Sequence, residues 1–244
     1  AGRRRNHNKR CLNYRVTIQH NITSSLPLVG LQVWKAALVL VDFVLHKSFM
    51  SSDFVDMIAV ELGAGTGLLG ILLARVLRAI FVTDTGTEVL DNCAINVQIN
   101  ASALKYCESS VLVRELDWRV IAPKIGASDV EAQQRNSSKY SWSASEVDEA
   151  EGASLLFAAD VIYSDELTDA FFNIVEKLMS HGSEKVLYLA FGKRGLMAHF
   201  NLVFVGERIN IDQIPQYIKE YERGKDLEIW KICYRKTPHS KSVL

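Results

Sequence analysis

The run Val60-Glu61-Leu62-Gly63-Ala64-Gly65-Thr66-Gly67-Leu68-Leu69-Gly70 limits what this chain can become more than any other stretch. An apolar segment carrying the acidic Glu61 near its end meets three alternating glycines, and an apolar helical pattern follows. The order predicts a strand, a tight turn and a helix. Glycines let backbone N–H groups come close to a ligand that a Cβ would keep away. The helix adds its partly positive N-terminus at the same place. The expected ligand is nucleotide-like.

Two patterns overlap in this loop. Gly65-Thr66-Gly67-Leu68-Leu69-Gly70 fits GxGxxG, with Asp84 at the spacing of a ribose-binding acid. Gly63-Ala64-Gly65-Thr66-Gly67 after Glu61 fits an S-adenosylmethionine loop equally well. Neither pattern alone selects the cofactor.

Periodicity organises the rest of the chain. Alternation over 14–20 predicts a strand, and spacings of three and four through Trp34, Ala37, Leu38, Val41 and Leu45 predict a helix over about 31–47. Further strands are expected at 57–62, 79–83, 111–116, 154–159 and 185–191, with helices at about 68–77, 88–100 and 167–179 between them. Alternating strands and helices mean an α/β fold on a parallel sheet. Late strands at 202–205 and 227–234, joined by a helix-like 211–221, suggest an antiparallel pair at the sheet edge. One domain over 14–244 is expected, with an N-terminal extension (14–50) and a basic arm (1–13) holding Arg3, Arg4, Arg5, Lys9 and Arg10. The stretch 126–152, acidic and poor in large apolar residues, reads as a flexible insertion.

Charge and cysteines exclude some classes. Lys plus Arg and Asp plus Glu both number 28, so no net charge draws the chain to nucleic acid or acidic lipid, which leaves nucleic acid only the basic arm. The scattered Cys11, Cys93, Cys107 and Cys233 form no CxxC pair, which argues against a zinc site or disulfide framework and for a reducing compartment. No metal is expected. The longest apolar stretch, 36–45, is interrupted by Asp42 and reads as too short to span a bilayer.

Ligands of an open parallel sheet sit at the carboxyl ends of its strands. The predicted strands end there in the glycine loop, in Asp84, in Asp117-Trp118 and in Asp160-Val161-Ile162-Tyr163. A carboxylate at Asp84 is suited to two ribose hydroxyls, and Trp118 offers a face for adenine. Bland alternatives stand beside each: a turn aspartate, a core tryptophan, an Asp117 or Asp160 that only caps. A nicotinamide enzyme would need a catalytic proton donor. The one Tyr-x-x-x-Lys match, Tyr221 to Lys225, lies far from the ligand edge.

Gly30-Leu31-Gln32-Val33-Trp34, the glycine loop with Glu61, Asp84, Leu116-Asp117-Trp118 and Ala159-Asp160-Val161-Ile162-Tyr163 together resemble the family 16 methyltransferases. The likeness runs over about 15–190 without the insertion. Leu-x-x-Trp with Asp-x-x-Tyr is its more specific part. The resemblance implies a Rossmann-like seven-strand sheet, mostly parallel with an antiparallel C-terminal edge and helices on both faces. It implies S-adenosyl-L-methionine as cofactor and methyl transfer to the ε-amine of lysine in a protein substrate. It places Trp34, Gly63, Ala64, Gly65, Asp84, Trp118 and Ala159 around the cofactor, and Glu61, Gly67 and Asp117 are expected to join them as cofactor-binding residues. Asp160 and Tyr163 would face the lysine.

The chain departs from the family after 191, where Gly192-Lys193-Arg194 stands in place of an acid before Lys-Arg and few residues precede the next strand. Alternatives are therefore a cofactor-binding scaffold with impaired turnover and a nucleic-acid or small-molecule methyltransferase. Asp160-Val161-Ile162-Tyr163 lacks the prolines usual in enzymes that methylate base amino groups. A monomer without a membrane partner, nuclear or cytoplasmic, is expected.

Overall fold

The computed structural model describes residues 15–23, 25–104, 110–119, 139–180, 182, 184–192 and 203–235. Its centre is a seven-stranded sheet. The strands are β1 (Ile58–Leu62), β2 (Ala79–Asp84), β3 (Val111–Glu115), β4 (Leu155–Ala159), β5 (Val186–Gly192), β6 (Phe204–Ile209) and β7 (Leu227–Tyr234). They lie in the order β3-β2-β1-β4-β5-β7-β6. Neighbours from β3 to β5 pair in parallel. β7 runs antiparallel to both β5 and β6, which places β6 at the edge. Chain order reverses at β1, whose neighbours are β2 and β4. Such a reversal opens a crevice beyond the carboxyl ends of the strands.

Helices cover both faces because the inner strands are apolar on both faces. One face packs Ala59, Ile80, Val82, Leu155 and Phe157 against α1 (Lys35–Met50), α2 (Leu68–Leu73) and α3 (Thr87–Leu104). The opposite face packs Val60, Leu62, Phe81, Leu156 and Leu189 against α4 (Ala144–Glu151) and α5 (Asp165–Ser180). Each fully buried Leu, Ile, Val or Phe side chain contributes about 1.5–3 kcal/mol. The two layers therefore hold the strand ends in a fixed relation.

The N-terminal helix begins later than its periodicity suggests. A 3-10 turn, Leu26–Leu31, holds Pro27 in its first turn and gives way to extended Gln32, and α1 begins after an extended Trp34. By composition 26–50 is long and apolar enough to cross a membrane. In the fold that stretch is broken before α1, which buries Val39, Leu40, Val41 and Val44 in the core.

Three further expectations are corrected. The described part of 14–20 is not a ladder strand; side chains of α3 bond its backbone instead. The 211–221 stretch holds only a 3-10 turn at Ile211–Gln213. Its next residues stay irregular because Asp42, fully buried on α1, accepts from the N–H groups of Tyr217 (2.7 Å) and Ile218 (3.0 Å), the Tyr221 hydroxyl (2.7 Å) and the Arg223 guanidinium (2.6 Å). The C-terminal half of the supposed flexible insertion is folded. Ser143 and Glu146 form a capping box that starts α4. Arg114 on β3 pairs with Glu146, and Trp142 stacks on Phe81 at 5.2 Å. A weakly apolar segment gains order here from caps and one aromatic anchor. The basic arm, the rest of the insertion and the shortened stretch after Gly192 lie outside the described residues.

Candidate functional site

The glycine loop takes the form that alternating glycines allow. Gly63, Gly65 and Gly67 have φ of 68°, 55° and 77°, the left-handed region that a Cβ disfavours. All three also lack room for a Cβ. A Cβ on Gly63 would lie 2.7 Å from Val161 Cγ1 and 3.0 Å from the Trp118 indole. One on Gly65 would lie 2.8 Å from the Gly30 carbonyl oxygen. Gly67 has a different task from the one its place in the motif suggests. It is the left-handed residue before α2, its Cβ would meet Cys93 Sγ at 2.7 Å, and it does not line the cleft.

The strand ends converge beyond that loop on one cleft of about 440 Å³. Asp84 closes β2, and its carboxylate accepts from Gly65 N–H at 2.7 Å and Thr85 N–H at 2.8 Å. Burial raises its pKa while those two N–H groups oppose the shift. Each oxygen keeps a second lone pair, so the group suits a vicinal diol. Asp117 lines the cleft and also holds its own turn, accepting from the Arg119 backbone and guanidinium, which keeps its pKa low. Trp118 presents its indole beside Gly63 and meets Phe171 edge-on at 5.4 Å. Glu61 lies beneath the loop, 4% exposed. Burial pushes its pKa to about 8, against the Gly70 N–H and reinforced by the Asp84 charge.

The loop after β4 supplies the opposite wall. Asp160 holds φ 56°, a conformation that aspartate tolerates better than most residues. Its Oδ2 accepts from Ala36 N–H at 3.0 Å in the first turn of α1. It therefore faces the cleft and caps a helix at once. Tyr163 stands at the mouth, 41% exposed, its pKa raised by burial and partly restored by Arg119.

The third wall comes from the N-terminal segment, through Leu26, Pro27, Val29, Gly30, Val33 and Trp34. An asparagine ladder at 92, 96 and 100 on α3 holds it there. Asn100 accepts from Thr17 N–H (2.9 Å) and donates to Thr17 O (2.7 Å). Asn96 accepts from Gln19 N–H (2.7 Å) and donates to Gln19 O and to Thr66 O in the glycine loop (both 3.0 Å). Asn92 donates to Gln19 O at 3.1 Å. The amides stand in for a strand edge. This ladder escaped the sequence reading, though its signal was present: three asparagines four residues apart on one face of an apolar helix.

The structure thus brings Trp34, Glu61, Gly63, Ala64, Gly65, Asp84, Asp117, Trp118, Ala159, Asp160 and Tyr163 to one cleft, and leaves Gly67 out of it. Among the described residues, buried Glu61 Oε2 and Trp118 Nε1 have no hydrogen-bond partner. An acceptor and a donor left unsatisfied in a cleft cradled by glycines fit a polar, nucleoside-sized ligand.

Comparison with known proteins agrees with this geometry. A family model described as lysine methyltransferase matches residues 13–131. Methyltransferase-like protein 22 of Homo sapiens is 32% identical over 248 residues, covering 89% of this chain and 57% of that protein. Its Mus musculus counterpart is 35% identical over 170 residues, 69% of this chain and 40% of that protein. The protein-lysine N-methyltransferase EEF2KMT of Mus musculus is 28% identical over 157 residues, 61% of this chain and 39% of that protein. The chain thus spans about half the length of the relatives it matches. Among solved structures, magnesium protoporphyrin IX methyltransferase from Synechocystis PCC 6803, with bound SAM, superposes with a TM-score of 0.50 at 14% identity. The match covers 82% of this chain and 80% of that one, and shows a shared fold.

Proposed function

The chain belongs to the family 16 lysine methyltransferases, and we propose that it binds S-adenosyl-L-methionine and moves its methyl group to the ε-amine of lysine in a protein substrate. One observation carries the reading: the glycine loop, the Asp84 carboxylate and the Trp118 indole share a cleft with Asp160 and Tyr163. Asp84 suits the ribose hydroxyls, Trp118 the adenine face, and Glu61 with the loop N–H groups the amino acid end. When bound, S-adenosylmethionine supplies a methyl group made electrophilic by its sulfonium.

The residues of the chain have three tasks. They must admit a lysine, bring its amine to the neutral form and aim it. An ordinary lysine titrates near 10.4, so deprotonation at pH 7 costs roughly 4–5 kcal/mol. The apolar walls from Val29, Val33, Val161 and Leu167 favour the neutral amine. Asp160 accepts a hydrogen bond from the arriving ammonium and orients the amine after its proton leaves to water. Its bond to Ala36 N–H fixes the carboxylate for that task. Tyr163 presents an aromatic ring at the mouth to the cationic side chain. Alignment of two bound reactants supplies several kcal/mol more.

The substrate protein is met by a monomer in the nucleus or the cytoplasm, with no membrane partner. Nucleic acid would be met only by the basic arm, a polyelectrolyte contact separate from the cleft.

Labelled-methyl transfer into cell extract, with protease and nuclease controls, tests the acceptor class. Protease-sensitive label is expected; nuclease-sensitive label points to nucleic acid, and absence of label to a cofactor-binding scaffold. Asp160→Asn keeps an oxygen acceptor for Ala36 N–H and removes the charge. It is expected to lower turnover at least about 100-fold with ligand affinity within a few-fold. A wild-type rate in that variant removes Asp160 from the mechanism.

A further inference from the structure

Glu61 is the one acid of the cleft whose local bonds do not explain it. Asp84 is held by two backbone N–H groups, Asp117 by Arg119, and Asp160 by Ala36 N–H. Glu61 is buried, lines the cleft, and keeps Oε2 without a partner among the described residues. α2 comes close to that buried oxygen, since a Cβ on Gly70 would sit 2.8 Å from it. The titratable groups that face Glu61 are Asp84 at the end of β2 and Cys93 on α3. α2, packed over it, brings the Gly70 N–H and no ionisable side chain. Among the described residues no cation is found beside Glu61, and a buried carboxylate without a cation favours its neutral form.

We infer that Glu61 holds a proton while the cleft is empty and releases it to solvent when the ligand's α-ammonium arrives, so that cofactor uptake is coupled to loss of one proton. The inference rests on the cofactor reading above. The ligand's ammonium is the cationic donor that this orphaned acceptor lacks, whereas the adenine amine is a neutral one. The balance is simple: the carboxyl O–H bond breaks, the proton goes to buffer, and the ammonium keeps its own protons beside the new carboxylate. Burial places the titration of Glu61 in the empty cleft at about 8. The group is therefore mostly protonated at neutral pH, and affinity must rise with pH below that value.

Calorimetric titration of the full chain with S-adenosylhomocysteine tests this. That ligand has the same amino acid end without a sulfonium. At pH 7, in phosphate and in Tris, the apparent enthalpies are expected to differ by the difference in buffer ionisation enthalpy multiplied by roughly 0.9 proton, the protonated fraction of a group titrating near 8. Between pH 6 and 7 the ligand's amine stays mainly charged, and Kd is expected to fall by about tenfold. Glu61→Gln is expected to bind with the same enthalpy in both buffers. The wild-type chain titrated with 5′-methylthioadenosine, which lacks the amino acid end, is expected to bind without proton release, a control independent of any variant's folding. Equal enthalpies for S-adenosylhomocysteine in the two buffers overturn the inference, and so does equal proton release with 5′-methylthioadenosine. Absence of binding by both ligands overturns the cofactor reading and this coupling with it.

Discussion

Two irregular segments of this protein are held in place by polar side chains from helices, by opposite means. Around 17–19 the chain is held by the neutral amides of Asn92, Asn96 and Asn100, distributed along α3. Around 217–223 it is held by one charged group, Asp42, which takes four donors and faces an Arg223 guanidinium only 14% exposed. The amide ladder continues into the cleft, because Asn96 also holds Thr66 O in the glycine loop. Among the described residues Asp42 bonds to no residue of the cleft wall; it ties α1 to the chain before β7. The difference separates two tasks. Shared neutral bonds build a binding wall that can lose one member. A concentrated charge secures the fold and fails as a unit.

Asp42→Ala is the harshest test of that contrast. It strands four donors and leaves a largely buried cation whose Nε already lacks a partner among the described residues. Chemical denaturation is expected to show a loss of about 3–5 kcal/mol, with the folded fraction still binding S-adenosylhomocysteine within about twofold. A loss below about 1 kcal/mol would break the comparison. Asn96→Ala comes next, unpairing Gln19 N–H and Thr66 O and leaving Gln19 O with Asn92 as its one side-chain donor among the described residues. It is expected to cost about 1–3 kcal/mol, to speed amide exchange at Gln19 and, unlike the Asp42 change, to weaken ligand binding.

Gly65→Ala probes where the N-terminal wall touches the glycine loop. The left-handed backbone at φ 55° costs about 1–2 kcal/mol for a side chain, and the new methyl meets Gly30 O. Modest loss of stability with at least tenfold weaker ligand binding is expected in titration; unchanged affinity would show that this contact does not shape the wall. Tyr221→Phe is the mildest change. It removes one of four donors from Asp42, and a loss of about 0.5–1.5 kcal/mol is expected in denaturant. A loss equal to that of Asp42→Ala would mean that the hydroxyl, and not the charge pair, secures the segment.

The strands and most of the cleft were legible in the sequence because their signals are local. Apolar runs closed by Gly63, Asp84, Asp117 and Asp160 place chemistry at strand ends before any fold is known. The early strand and the late helix were misread for one reason. The alternation of Val16 and Ile18 and the spacing of Ile211, Ile214 and Ile218 record burial, and burial alone does not say which backbone partner is available. For the first segment the partner is a row of side-chain amides, and for the second a buried carboxylate from α1. Both lie far away in sequence. The folded part of the acidic stretch was missed because Trp142 and Tyr140 are too few to make a periodic pattern, yet each finds a distant partner, Phe81 and Asp91.

By itself the sequence determined the order of strands and helices, the left-handed turn at 63–67 and the kinds of side chain that meet a ligand, since each depends on neighbours within a few residues. The tertiary structure alone decided that Gly67 stands before α2 outside the cleft lining, that the N-terminal segment forms a wall, and that Glu61 has no cation beside it among the described residues. Those outcomes depend on which groups approach across long stretches of chain, and a buried polar atom acquires its protonation and its use only from the neighbours that folding brings to it.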